Sequence, residues 1–429
     1  MTRALLILPT ATYRAPEFLA AARRLSVEVV TGSERPQALA ELMGDRFIEL
    51  ALEDPERAAD AIVELAARVE LDAVLAVDDQ GALAAAHAAA RLGLVHNPPD
   101  AVAATRDKAV MRSRLGIAGV SQPAYEVVAA VGNGPRGRRV GEAASRLDYP
   151  VVIKPVSLSG SRGVIRANDA HEAELATTRI EALLASIGEP DTTLLVEAFV
   201  PGREFALEGL LSSGKLTVLA LFDKPDPLDG PFFEETIYLT PSALDPLAQQ
   251  AIGSLVADAA DAIGLKEGPL HAEVRLETTA GKFAAPVLIE VAARTIGGRC
   301  AAALHFRTGA TLEEIVLAHA LGRSGELDTS TPPGASGVMM IPIPRSGLLV
   351  GVGGREQALA VPFISGLDIT VAPRHVVEAL PEGDRYLGFL FAEAPSASEV
   401  DAALREAHRR LEVVIEPNER AEIPIETVG

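Results

Sequence analysis

His271-Ala272-Glu273-Val274-Arg275, and further on Ile289-Glu290-Val291-Ala292-Ala293-Arg294 with the pair Gly297-Gly298, decide how this chain is read. Side chains of a strand alternate faces, so His271, Glu273 and Arg275 share one face, and Glu290, Ala292 and Arg294 share another. The intervening Thr278-Thr279-Ala280-Gly281-Lys282 reads as a hairpin loop. Pairing the two strands brings Glu273 and Glu290 together with Arg294 beside them. Two carboxylates so close require a cation or a proton. Mg²⁺ favours a few carboxylates plus substrate phosphates, and an arginine suits a phosphoryl or acyl-phosphate group. Taken alone, the same residues also read as two edge strands with solvated charges.

The segments upstream decide between these readings. Ala4-Leu5-Leu6-Ile7-Leu8 is an apolar run typical of buried parallel strands. It is followed by a helix from Ala15 to Leu25, a strand at Val27 to Val30, a helix from Pro55 to Glu70, a strand from Leu71 to Val77 and a helix from Gly81 to Leu92. Such alternation predicts a doubly wound parallel sheet. The turn from Pro9 to Pro16 lacks glycine, which argues against a nicotinamide or flavin site. Asp78 and Asp79 end a strand, where open sheets place ligands and where aspartates also cap helices.

A second group of residues points to phosphate. Thr105-Arg106-Asp107-Lys108 opens a helix that runs to about Leu115, and Ala129 to Arg139 reads as a loop. Tyr149-Pro150-Val151-Val152-Ile153-Lys154-Pro155 is a buried strand carrying a lysine, whose ammonium is costly to bury without a partner such as phosphate. It runs into Val156-Ser157-Leu158-Ser159-Gly160-Ser161-Arg162-Gly163-Val164, small residues whose amides can close over an anion. The lysine precedes the glycines, so this is not a Walker A loop. Leu194 to Glu197 is an apolar strand ending in a carboxylate, followed by Ala198-Phe199-Val200-Pro201-Gly202-Arg203-Glu204. Glu197 can accept from an adenine amine, the backbone of Ala198 and Val200 can read the ring edge, and Glu204 can hold ribose. An ordinary turn between two strands fits the same residues.

In this order the parts resemble the ATP-grasp superfamily of carboxylate–amine ligases, over roughly Ala101 to Leu321. The resemblance implies an α/β and α+β multidomain protein. Residues 1–100 would form a Rossmann-like sheet domain, 101–325 the ATP-grasp domain with a lid subdomain at about 115–195, and 335–429 a small α+β C-terminal domain. It implies that Lys108 and Lys154 bind phosphates and that Ser157, Ser159, Gly160, Ser161 and Gly163 belong to the lid loop. Glu197, Ala198, Phe199, Val200 and Glu204 would contact adenosine, Glu273 and Glu290 would hold Mg²⁺ (or Mn²⁺), and Arg294 would be catalytic. Many members carry a further metal-binding Asn where this chain has Ala292.

The stretch from Glu290 to Gly298 and the tail (Gly337 to Pro344, Gly347 to Gly354, Arg385 to Phe391 and a last helix from Ala397 to Leu411) are similar to L-amino acid ligases, which form dipeptides. The implied activity is ATP-dependent amide formation through an acyl phosphate, releasing ADP and phosphate. Glu234, Glu235, His271, Gly298 and Arg299 are candidates for amino-acid binding, with Phe232 or Phe233 as an apolar wall. Two other activities share the motifs: bicarbonate activation of the carboxylase type, and nucleotide sensing without catalysis. Retention of both lysines, both glutamates and Arg294 argues against the second.

Composition sets outer limits. At 429 residues with 48% hydrophobic content, several domains are expected. A net charge of −20 disfavours nucleic acid and anionic membranes as partners. Cys300 is the single cysteine, so no internal disulfide forms. The expectation is a soluble cytoplasmic enzyme acting on small molecules, possible as a homodimer.

Overall fold

The structure, a computed structural model, describes residues 2–10, 12–36, 44–279 and 282–417. The chain packs as two compact units and passes repeatedly from one to the other. Described residues up to Pro123, then Val200–Asp223 and Ser242–Pro333, form the first unit; Ala124–Phe199, Lys224–Pro241 and described residues from Gly334 onward form the second.

The first unit opens with a four-stranded parallel sheet in the order Phe47–Glu49, Glu28–Ser33, Arg3–Ile7, Ala73–Ala76. Leu5, Ile7, Val30 and Val74 are buried in its core against Ala58, Ala59 and Ile62 of helix Pro55–Ala66. Asp78 caps helix Asp79–Leu92 by accepting from the Gln80 amide, one of the two roles its position allows. Asp107 likewise caps helix Lys108–Ile117, accepting from the amides of Ala109 and Val110, so Lys108 becomes the first helical residue.

The same unit contains an antiparallel sheet in the order Val287–Ala292, Gly268–Leu276, Arg203–Ser212, Lys215–Asp223. Helix Pro246–Ile263 buries Ile252, Val256, Ala259 and Ile263 in one cluster with Phe205, Leu207, Leu270 and Val274 of these strands. Gly202 precedes the sheet at φ +102°, and a Cβ there would lie 2.6 Å from the Leu276 carbonyl oxygen, so this turn requires glycine. The expected hairpin is present as Thr278–Thr279 paired with Lys282–Phe283; Ala280 and Gly281 lie outside the described residues.

In the second unit, strands Tyr125–Val128, Leu194–Ala198, Val151–Pro155 and Ile165–Ala167 form an antiparallel sheet. Helices Arg136–Leu147 and Ala170–Ser186 pack on it through Val140, Ala143, Ala173 and Ile180. The expected loop from Ala129 to Arg139 therefore ends early, because a helix begins at Arg136. Pro135 stands just before the first turn, a position proline tolerates, and Arg139 donates to the Ala129 and Ala130 carbonyls at 2.8 and 3.0 Å. The arginines that looked like loop residues are good helix formers; Arg136 is buried, whereas Arg138 faces solvent.

The rest of this unit has strands in the order Ile237–Thr240, Ala335–Ile341, Gly388–Ala394, Ile364–Ile369. Helix Ala397–Arg409 is capped by Ser396 and buries Val400, Leu404 and Ala407 against them. Among the described residues no helix is long and apolar enough to cross a membrane.

Candidate functional site

In the first unit, strand Gly268–Leu276 pairs with Val287–Ala292 so that Glu273 stands opposite Glu290 and His271 opposite Ala292. A bulge follows Glu273, with the register passing from Glu290 to Leu288. Bulges bend the strand and re-aim side chains. Both carboxylates remain partly open, at 22% and 28% side-chain exposure. Lys108, almost fully buried, places Nζ 3.2 Å from Oε1 of Glu290. The two carboxylates supply the hard oxygen donors a small divalent cation prefers, and their partial exposure leaves room for water or phosphate oxygens to complete its shell.

The opposite neighbour of the Glu273 strand, Arg203–Ser212, adds groups the sequence reading did not select. Glu208 is fully buried and pairs in register with His271, whose Nδ1 lies 3.2 Å from Oε2 of Glu208. Glu208 also accepts from the Ile296 amide at 3.0 Å. Burial raises its carboxyl above the usual range, although His271 and the Ile296 amide act the other way. Nε2 of His271 lies 3.8 Å from Oε1 of Glu273. Burial works against protonating this imidazole, but Glu208 and Glu273 outweigh it and raise it to about 8. His271 thus links a buried glutamate to one of the two opposed carboxylates, and Glu208 ties both to the Arg294 loop. The signal in the sequence was a carboxylate inside an apolar run, Phe205-Ala206-Leu207-Glu208-Gly209-Leu210.

Glu204 lies one strand pair away, opposite Arg275. Arg275 donates from Nε to Glu204 at 3.0 Å and from Nη1 to the Val200 carbonyl at 2.8 Å. The residue expected to hold ribose is therefore held by a buried arginine.

Arg294 follows the second strand and donates through Nε to Asp79 at 2.7 Å. Burial would raise the Asp79 carboxyl, but the guanidinium's charge and hydrogen bond outweigh it and hold it below its ordinary range. Burial likewise opposes the Arg294 charge, and Asp79 and then Glu290 overcome it and push its pKa up. Of the two roles the sequence left open, Asp78 takes that of helix cap, whereas Asp79 anchors the arginine, a role the sequence did not announce. Gly298 and Arg299 come next, and Arg299 pairs with Glu17 at 2.8 Å.

The second unit holds the other half of the expected residues. Lys154 stands opposite Leu195 and Glu197 opposite Val152 on paired strands, so the two side chains meet diagonally on one face, with Nζ 2.7 Å from Oε2 and both side chains about 95% buried. The buried ammonium, for which phosphate was the partner offered, has a carboxylate partner within the protein, and Glu197, expected to read adenine, is that partner. The Phe199 ring lies tilted against that of Phe233, with centroids 6.5 Å apart, and beneath the guanidinium of Arg166.

The small-residue loop turns at Gly160, Ser161 and Gly163, all with positive φ. Its Gly163 amide donates to the Pro381 carbonyl at 2.8 Å, and Arg162 donates to the Glu382 carbonyl at 2.9 Å. The Arg162 amide turns to Ser159 and the Val164 amide to Ser161, and the Ser157 hydroxyl donates to Glu189 at 3.1 Å. In this conformation the amides of Arg162, Gly163 and Val164 are engaged by protein carbonyls, so using them on an anion requires the loop to rearrange.

Of the amino-acid candidates here, Glu235 pairs with the buried Lys224. Burial raises the Glu234 carboxyl. Phe232 lies beneath Arg179, so both phenylalanines offered as a substrate wall have ring partners within the unit.

Comparison with known proteins adds three domain matches. Residues 19–96 match the ATP-grasp N-terminal domain, 147–303 the ATP-grasp domain and 339–416 the L-amino acid ligase C-terminal domain 2. Alanine–anticapsin ligase of Bacillus subtilis (strain 168) is 28% identical over 64% of this chain and 60% of its own length. Dapdiamide A synthase of Enterobacter agglomerans is 29% identical over 46% of this chain and 44% of its own. This chain thus spans about 60% of the length of the first curated relatives it matches. A solved structure of L-amino acid ligase from Bacillus licheniformis superposes with a TM-score of 0.78 at 26% identity, covering 97% of this chain and 99% of that one.

Proposed function

We propose that this chain, which belongs to the ATP-grasp superfamily, joins a carboxylate to an amine at the expense of ATP, with amino acids or small carboxylates as substrates. In the first step a carboxylate oxygen attacks the γ-phosphorus and the bond to the β-phosphate oxygen breaks, leaving an acyl phosphate and ADP. In the second an uncharged amine attacks the acyl carbon, the C–O bond to phosphate breaks, and the nitrogen gives up a proton as phosphate leaves. The observation that carries this reading is the opposition of Glu273 and Glu290, with the Lys108 ammonium on one of them and Arg294 in the loop that follows.

Each step accumulates negative charge, and the residues follow that demand. Lys108 and Lys154 balance phosphate oxygens. Arg294 stabilises the oxyanion of the acyl carbon or the departing phosphate. Glu197, the backbone of Ala198 to Val200, and Glu204 hold the adenosine. Ser157 to Gly163 closes over the phosphates and keeps water from the acyl phosphate, which it would hydrolyse. Glu273 and Glu290 would hold Mg²⁺, which when bound neutralises charge on the phosphates.

Two results test this. With ATP, Mg²⁺ and pairs of amino acids, phosphate and ADP form in equal amounts and mass analysis finds a dipeptide. AMP with pyrophosphate, or phosphate released with bicarbonate alone, overturns the reading. Glu290→Gln raises the Mg²⁺ concentration needed for half-maximal rate roughly tenfold or more, on the scale of losing one charged ligand. An unchanged magnesium dependence removes Glu290 from the metal site.

A further inference from the structure

A cavity of about 300 Å³ lies within the first unit, against the segment that follows Arg294. Its volume falls at the lower end of small-ligand pockets, roughly 300–1,000 Å³. One wall is apolar, formed by Ala301, Ala302, Leu304 and Phe306. The other carries the Glu17–Arg299 ion pair at 2.8 Å. Tyr13, also on the wall, joins the cavity to the loop after Arg294, since its hydroxyl meets the backbone of Gly298.

Glu17 is half satisfied. Its Oε1 accepts from Arg299, whereas its Oε2 is buried with no hydrogen-bond partner. The side chain as a whole is about one third exposed, so it is this one oxygen, turned from solvent without a donor, that stands out. A donor that enters with the ligand would supply what is missing, and the charge favours a cationic one.

We propose that this cavity takes an α-amino acid with an apolar side chain, its ammonium on Glu17 and its side chain against the Ala301–Phe306 wall. The inference rests on the ligase reading and specifies which partner is held. A carboxylate beside an amine keeps it protonated, and a protonated amine cannot attack. The amino acid bound here is therefore the carboxyl donor, which becomes the N-terminal residue of the product. The acceptor amine binds elsewhere.

The test is a donor profile measured with the whole protein, ATP and Mg²⁺, comparing leucine, glycine and 4-methylpentanoate, which is leucine without its amino group. Wild type prefers leucine to 4-methylpentanoate. Glu17→Gln raises the KM for leucine as donor by roughly tenfold to a hundredfold, the effect of losing one charge-assisted hydrogen bond, and narrows the preference over 4-methylpentanoate. Ala301→Leu, which fills the apolar wall without touching the ion pair, lowers the leucine-to-glycine ratio of kcat/KM at least tenfold. If wild type forms dipeptides but neither variant alters the donor profile, the cavity is not the donor pocket and the ligase reading stands. If no amino-acid pair releases ADP from wild type, the ligase reading fails and the donor assignment fails with it.

Discussion

Arg294→Met lowers turnover by roughly two to three orders of magnitude while ATP still binds, the loss expected on removing one donor from a developing oxyanion. Single-turnover ADP formation and equilibrium nucleotide binding separate the two effects. The structure adds a control. Arg294 is anchored by Asp79 at 2.7 Å, so Asp79→Asn keeps the guanidinium but loosens its aim. That variant loses about tenfold, because a neutral amide still accepts a hydrogen bond but no longer offers the opposing charge. The pair also has a defined pH signature. The folded Asp79 carboxyl lies below its ordinary range, so the pair's contribution to stability is complete at neutral pH. It is lost only as pH falls from the ordinary carboxylate range through the depressed folded value. Normal turnover in Arg294→Met removes Arg294 from the chemistry and leaves it a structural partner of Asp79.

The Glu273–Glu290 opposition was legible because strand alternation and a short hairpin between two acidic strands leave few registers. The parallel sheet at the N-terminus was legible for a similar reason, since the apolar run from Ala4 is typical of a strand buried on both faces, and Ala4 to Ile7 are all fully buried. What the sequence hid were partners. Nothing near Lys154 in sequence announces Glu197, which comes from a strand paired with it after an intervening helix. Arg275 for Glu204 and Asp79 for Arg294 lie farther still along the chain. Charges assigned singly to a nucleotide turn out to be paired within the protein, because burying any of them alone is too costly. Helices Ala170–Ser186, Pro246–Ile263 and Leu312–Ala320 also escaped the reading. The last of these is buried nearly all round, so it lacks the polar face by which an amphipathic helix is recognised.

The pairing of Lys154 with Glu197 gives the largest expected change in stability. Both side chains are about 95% buried and their charged atoms are 2.7 Å apart. Lys154→Met leaves the Glu197 carboxylate buried without its cation, which costs about 3–5 kcal/mol and lowers the melting temperature by of order 10 °C. The double variant Lys154→Met with Glu197→Leu restores most of that loss, since apolar side chains of similar size replace a buried ion pair at little cost. Catalysis separates the two roles these residues can have. If the pair only holds the strands together, activity returns with stability in the double variant. If Lys154 and Glu197 also meet the nucleotide, the refolded double variant remains inactive and binds ATP weakly, because the groups that would receive the phosphate and the adenine amine are gone. Stability without activity is the expected result. A pair already satisfied in the protein gives up little when a polar ligand exchanges places with one partner, so a buried lysine and glutamate in contact are compatible with a site that opens to ATP.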